Sequence, residues 1–119
     1  MLREYEGVSQ HQGEGRRRWF RDEQFDLIVW YEAGEVVGFQ LCYDVNADER
    51  AITWYASGSY THTKVDAGDK PMGRKESPVL EGGGHFDKDR VIRDFDASAS
   101  EIDPGIARLV HERLETYSG

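Results

Sequence analysis

The chain has 119 residues, a formal net charge of -8, 38% apolar residues, three Trp, six Tyr and five Phe. At this length a folded chain forms one core and buries about two-thirds of its unfolded surface, so wholesale disorder is excluded. The acidic field disfavours duplex nucleic acid and anionic lipid as partners, and no apolar run approaches the ~20 residues that span a bilayer.

Residues 1–15 are polar, contain Gly7, Gly13 and Gly15, and lack the apolar segment that directs export. They read as a weakly ordered arm or an edge strand. The lone cysteine, Cys42, excludes an intramolecular disulfide and points to a reducing, cytoplasmic setting. Charge is uneven along the chain: residues 1–24 hold five acids and five bases, 25–66 seven acids against two bases, and 85–119 eight against five. Arg16, Arg17, Arg18 and Arg21 form the one basic segment. Residues 16–20 predict a strand with Arg17 and Trp19 on one face and Arg16, Arg18 and Phe20 on the other. Such a run usually serves as a charged edge that blocks sheet aggregation.

FDLIVWYEAGEVVGFQLCYD predicts a hairpin. A three-residue loop of Glu32, Ala33 and Gly34, with Gly34 left-handed, would set Tyr31 opposite Glu35. Alternation then groups Phe25, Leu27, Val29 and Tyr31 with Val37, Phe39, Leu41 and Tyr43 on an apolar face. The opposite face carries Asp26, Ile28, Trp30, Val36, Gly38, Gln40 and Cys42. A two-residue loop would scramble this segregation. A second hairpin joins AITWY to YTHTKV across Ala56, Ser57 and Gly58, with Tyr55 opposite Ser59. It puts Ile52, Trp54, Tyr60, His62 and Lys64 on one face and Ala51, Thr53, Tyr55, Thr61, Thr63 and Val65 on the other.

Residues 66–86 form a long Gly- and Pro-bearing connection, of the length that is usually functional or mobile, with a short strand at Pro78–Leu80. Two helices follow within 87–118. Asp87 is the expected cap of the first, with Val91, Ile92, Phe95 and Ala99 at helical spacing. Asp103 caps the second, Pro104 occupies its first turn, and Ile106, Leu109, Val110, Leu114 and Tyr117 make its apolar stripe. The whole chain, 1–119, therefore reads as one α+β domain of two layers: an antiparallel sheet of about four to six strands packed with two C-terminal helices.

Motifs of chemistry are weak. Asp44, Asn46 and Asp48 have the spacing that opens a calcium loop, but Glu49 and Tyr55 stand where Gly and a bidentate Glu are required, so an acidic turn is the better reading. Gly82, Gly83 and Gly84 precede a helix yet lack the Lys and Ser or Thr of a phosphate loop, which favours a flexible linker. His11, His62, His85, His111 and Cys42 show no zinc-ligand spacing, and a Cys42–His62 catalytic pair is disfavoured because a free strand cysteine is usually a small core residue. No catalytic residue, cofactor or metal site is expected.

The strongest constellation is a mixed sheet face. If the hairpins share it, Trp30, Gln40, Trp54, Tyr60, His62 and Lys64 line one surface bordered by Arg16 or Arg18, which suits a small molecule or peptide. Common strand aromatics covered by another part of the chain or by a second subunit are the simpler reading. The expected function is a non-catalytic binding or protein-interaction module using this aromatic face, with a homodimer as one form. The alternative is a small enzyme or sensor for an anionic metabolite, with His62 as acid or base and Lys64 and an N-terminal Arg holding the charge. An acidic mimic of nucleic acid ranks last, because the acids form no periodic stripe.

The run RRRWFRDEQFDLIVWYEAGEVVGFQLCYD followed by DERAITW, roughly residues 16–55, resembles a family of short uncharacterised bacterial proteins. The resemblance implies a bacterial, cytoplasmic origin and no particular activity, ligand or site residue.

Overall fold

The computed structural model describes residues 1–5, 16–45, 47, 49–64 and 86–117. They form β1 (Arg3–Tyr5), β2 (Arg16–Arg21), β3 (Phe25–Glu32), β4 (Glu35–Tyr43), β5 (Arg50–Tyr55), β6 (Tyr60–Lys64), α1 (Lys88–Ser98) and α2 (Pro104–Thr116). The strands make one antiparallel, open sheet in sequence order, β1-β2-β3-β4-β5-β6, and the helices add the second layer of an α+β fold.

The first hairpin corrects the expected turn. Its loop has two residues, Ala33 (φ 52) and Gly34 (φ 83), so Glu32 pairs with Glu35 and Tyr31 with Val36. Two consecutive left-handed residues match the right-handed twist of the flanking strands, as in a type I′ turn. The scrambling expected of a two-residue loop is undone one step further on. A bulge beside Trp30 and Tyr31 inserts Val37 as an extra residue, and beyond it Trp30 faces Gly38, Val29 faces Phe39 and Phe25 faces Tyr43. The apolar set of β3 and β4 thus shares one face through a register two residues away from the expected one, with one exchange: Val36, expected on the opposite face, packs against the core, and Val37, expected in the core set, is the bulged residue. The second hairpin keeps the expected pairing: the Tyr55 amide donates to the Ser59 carbonyl at 2.9 Å, and Trp54 faces Tyr60.

The apolar face is the core. Phe20, Leu27, Val29, Phe39, Leu41 and Ile52 are fully buried against Val91, Phe95, Val110 and Leu114 of the helices. At about 1.5–3 kcal/mol for each fully buried large apolar side chain, this set is the main favourable term in holding the layers together. Phe25 meets Phe95 edge-on at 5.8 Å. Three core members were not anticipated from pattern. Leu2 is fully buried, and its amide donates to the Ser98 carbonyl at 2.8 Å, which ties the start of the chain to the end of α1. Phe86 and Ile102 fill the ends of the helical layer.

The helix caps differ in kind. Asp103 accepts from the Gly105 amide at 2.8 Å, as expected. Asp87 holds the N-cap position of α1 but caps no amide; its carboxylate instead accepts from Arg90 Nε at 3.3 Å. Arg90 also reaches Asp44 at 2.9 Å and Asp94 at 3.4 Å, so one guanidinium fastens α1 to the end of β4. No helix among the described residues is long and apolar enough to cross a membrane.

Candidate functional site

Because the helices take one face of the sheet, alternation and the pairings of all six strands fix what the other presents. Its upper row runs Arg17, Trp30, Gly38, Tyr55; the middle row Tyr5, Trp19, Ile28, Gln40, Thr53, Thr61; the lower row Arg3, Arg21, Asp26, Cys42, Ala51, Thr63. Tyr5 and Tyr55 are among the most exposed large side chains of the described residues, at 49% and 43%.

At the upper end, Trp30 and Tyr55 stand on β3 and β5 with Gly38 between them on β4. Gly38 is needed there: a Cβ would lie 2.7 Å from the Trp54 carbonyl oxygen and 3.2 Å from the Trp30 ring. Without a side chain on the central strand, the two rings run parallel within 3° with centroids 6.3 Å apart. That spacing lies within the 4.5–7 Å of ordinary aromatic pairs, so Trp30 and Tyr55 form one stacked pair across the glycine. Arg16, Arg17, Tyr31, Glu32 and Val37 complete a groove of about 270 Å³ around them.

Toward the β1 edge, Tyr5 and Trp19 pack with centroids 5.8 Å apart, and the Arg21 guanidinium lies 5.6 Å from the Tyr5 ring and 5.4 Å from the Trp19 ring. The Trp19 indole N-H donates to Asp26, which also sits 3.6 Å from Arg21 Nε. This aromatic pair is therefore held by charge-assisted contacts on both sides. In the lower row burial, opposed in part by the Gln40 amide that reaches the sulfur at 3.5 Å and aided by the carboxylates of Glu49 and Asp26, brings the Cys42 thiol up to about 11. A thiol so protonated at neutral pH is a poor nucleophile.

The structure divides the seven sequence-predicted site residues between the two faces. Trp30 and Gln40 lie on the face opposite the helices, which no described element covers. Trp54, Tyr60 and His62 do not: β4 and β5 pair Phe39 with Trp54 and Leu41 with Ile52, which turns the Trp54 face toward the helices. Trp54 is 8% exposed and sits under Arg113 at 5.0 Å, and the Tyr60 hydroxyl donates to the Arg113 carbonyl at 3.0 Å. His62 is buried between Tyr43, Phe86 and Tyr117, with its Nε2 2.6 Å from the Tyr43 hydroxyl. Burial raises Tyr43 to about 12, so the phenol keeps its proton and can serve as donor to that nitrogen. Lys64 belongs to the same side as His62, at the exposed end of edge strand β6. Arg18 also faces the helical side, where it bonds Glu4 at 2.7 Å and Asp103 at 3.2 Å; it holds the Glu4 carboxyl below its usual range, and the Gly105 amide, followed by Arg18, does the same for Asp103. Arg18 is thus a clasp between β1, β2 and the start of α2.

Sequence reasoning missed Tyr55, Arg17, Trp19 and Tyr5. The signal was present in the second hairpin, where the Ile52 and Trp54 side is more apolar than the Ala51, Thr53 and Tyr55 side and so belongs with the Phe39 face. Asn46, Asp48, His11, His85, the strand at Pro78–Leu80 and the glycines at 82–84 lie outside the described residues. Among the described residues no group of three or more His, Cys, Asp and Glu side chains could hold a metal ion. Fold and site together define an α+β protein whose meander sheet is covered on one side and carries an aromatic surface on the other. No family model, no curated protein and no solved structure matches the chain.

Proposed function

We propose that this protein is a non-catalytic interaction module and that its uncovered sheet face docks a polypeptide surface. The observation that carries the reading is the parallel Trp30–Tyr55 pair over Gly38, with Trp30 half-buried and Tyr55 exposed, continued across the sheet by Trp19 and Tyr5. Trp and Tyr side chains are the residues most enriched at the energetic centres of protein interfaces, because they supply large rigid area at small entropic cost. The lone Cys42 supports a cytoplasmic setting for it.

The test places a photo-crosslinking p-benzoylphenylalanine at Tyr55 and, as control, at the exposed Arg108 of α2. The expected result is a polypeptide joined through position 55 and not 108, which after identification and purification binds the unmodified protein and binds a Trp30→Ser, Tyr55→Ser variant at least ~10-fold more weakly. Equal crosslinking at both positions, or unchanged affinity of the variant, would end the reading.

A second reading, a sensor for a planar anionic metabolite, is favoured by Arg16 and Arg17 beside the same two rings in the groove. The residues that support it are these, in place of His62 and Lys64. It predicts that an aromatic carboxylate quenches Trp30 fluorescence with saturation, and that the same Trp30→Ser, Tyr55→Ser variant abolishes the response.

A further inference from the structure

Resting on the interaction reading, we infer that the polypeptide docked on the uncovered face is a second copy of this chain. The face is bipolar. Among the described residues its β1–β2 half presents Arg3, Arg17 and Arg21 and no carboxylate. Strands β3 to β5 present Asp26, Glu32 and Glu35 and no base, and Glu49, just before β5, reaches the Cys42 thiol on the same face. Aromatic chains run across both halves, Tyr5 and Trp19 on the basic strands and Trp30 and Tyr55 on the acidic ones. A surface with a basic half and an acidic half is complementary to itself, as a two-fold interface requires.

Two like-charge pairs sharpen the point. Arg3 stands directly opposite Arg21, and Glu32 directly opposite Glu35. Like charges directly across a strand pair are unfavourable, and each pair is relieved if opposite charge arrives from outside. Arg21 has a partial partner in Asp26; Glu32 and Glu35 sit exposed at the turn.

The symmetry operator follows. Two sheets stacked face to face are related by a two-fold axis lying between them. An axis across the strands would set basic half on basic half. An axis parallel to the strands and over β3 carries β1 and β2 of one copy over β4 and β5 of the other. Arg17 then approaches Glu35 and Arg3 approaches Glu49. At the centre β3 meets its own copy: Ile28 and Trp30 pack there, Asp26 faces its mate beside Arg21, which lies 3.6 Å from it within each copy, and Glu32 faces its mate at the turn end. Five strands spaced by ~4.8 Å and about 20 Å long give roughly 500 Å² per copy, or about 1,000 Å² in all. That is at the low end for specific interfaces, so the dimer should dissociate in roughly the micromolar range.

Sedimentation velocity over a concentration series, together with a charge exchange, tests this. The unmodified protein should double its mass as concentration rises. An Arg3→Glu, Arg17→Glu variant and a Glu35→Arg, Glu49→Arg variant should each remain monomeric with circular dichroism and melting unchanged from the parent, and an equimolar mixture of the two should recover the dimer. A variant that misfolds is replaced by Tyr55→Lys, which sets a charge in the apolar part of the face and should weaken association at least ~10-fold. A parent monomeric throughout the series, or two charge variants that each dimerise as well as the parent, would overturn self-association. A Tyr55 crosslink to a different polypeptide from a monomeric parent would also overturn it while leaving the interaction reading intact.

Discussion

Trp54 and Tyr55 are consecutive residues of β5, yet Trp54 is 8% exposed and Tyr55 43%. The contrast is one of the aromatic positions, since Thr53 and Ala51 on the face of Tyr55 are also buried, at 7% and 4%. On the helical side a mainly apolar set packs under α1 and α2, with Arg18, His62 and Lys64 on the same side; on the other side aromatic rings alternate with charge and threonine. The same residue types have different consequences because of what lies above them: an aromatic chain under the helices contributes to folding, whereas one on the uncovered face contributes little until something docks on it. On the proposed reading, stability and recognition fall to opposite faces of one sheet.

The largest test of that division is Phe39→Ala against Tyr55→Ala. Phe39 is fully buried, and removing its ring leaves a cavity that should cost ~3–5 kcal/mol in urea denaturation. Tyr55→Ala should stay within about 1 kcal/mol of the parent. Comparable losses at both positions would mean that the two faces are not separable.

A smaller effect tests the buried polar pair on the helical side. Tyr43→Phe removes the hydroxyl 2.6 Å from His62 Nε2 and should cost ~1–3 kcal/mol at neutral pH, because a buried acceptor loses its partner. The pH dependence has a defined sign. The phenol is raised from 10.0 to about 12 in the folded protein, so folding favours its protonated form. Stability is fully present below pH 10, and falls as pH rises through about 12. Denaturation midpoints between pH 9 and 12 should fall more steeply for the parent than for Tyr43→Phe. Parallel curves would show that another group governs the alkaline limb.

The smallest effect concerns the turn that sets both faces. Ala33 is left-handed at φ 52, a conformation that disfavours Ala and suits Asn. Ala33→Asn, which creates the Asn-Gly pair preferred in such turns, should raise stability by up to ~1 kcal/mol in thermal or urea unfolding. A loss of stability would argue for a different loop.

Much of this was legible without coordinates. The two hairpins, the apolar set of β3 and β4, the stripes of both helices and the Asp103 cap follow from alternation, helical spacing and capping chemistry, all of which act over a few residues. The same locality explains the misses. The two-residue turn at Ala33 and Gly34 was rejected because the compensating bulge at Val37 leaves no mark in composition. Leu2 reaches the core only because β1 runs beside β2 and meets the end of α1, a relation between distant segments.

The sequence by itself determined, for most positions, which residues of each hairpin share a face, since side-chain direction alternates with period two along a strand until a bulge, here at Val37, interrupts it. Only the tertiary structure decided which face of the second hairpin joins which face of the first, because that depends on the β4–β5 pairing of Phe39 with Trp54, a contact between segments that no local period specifies. That single pairing moved Trp54, Tyr60 and His62 beneath the helices and brought Tyr55 beside Trp30, where the candidate site lies.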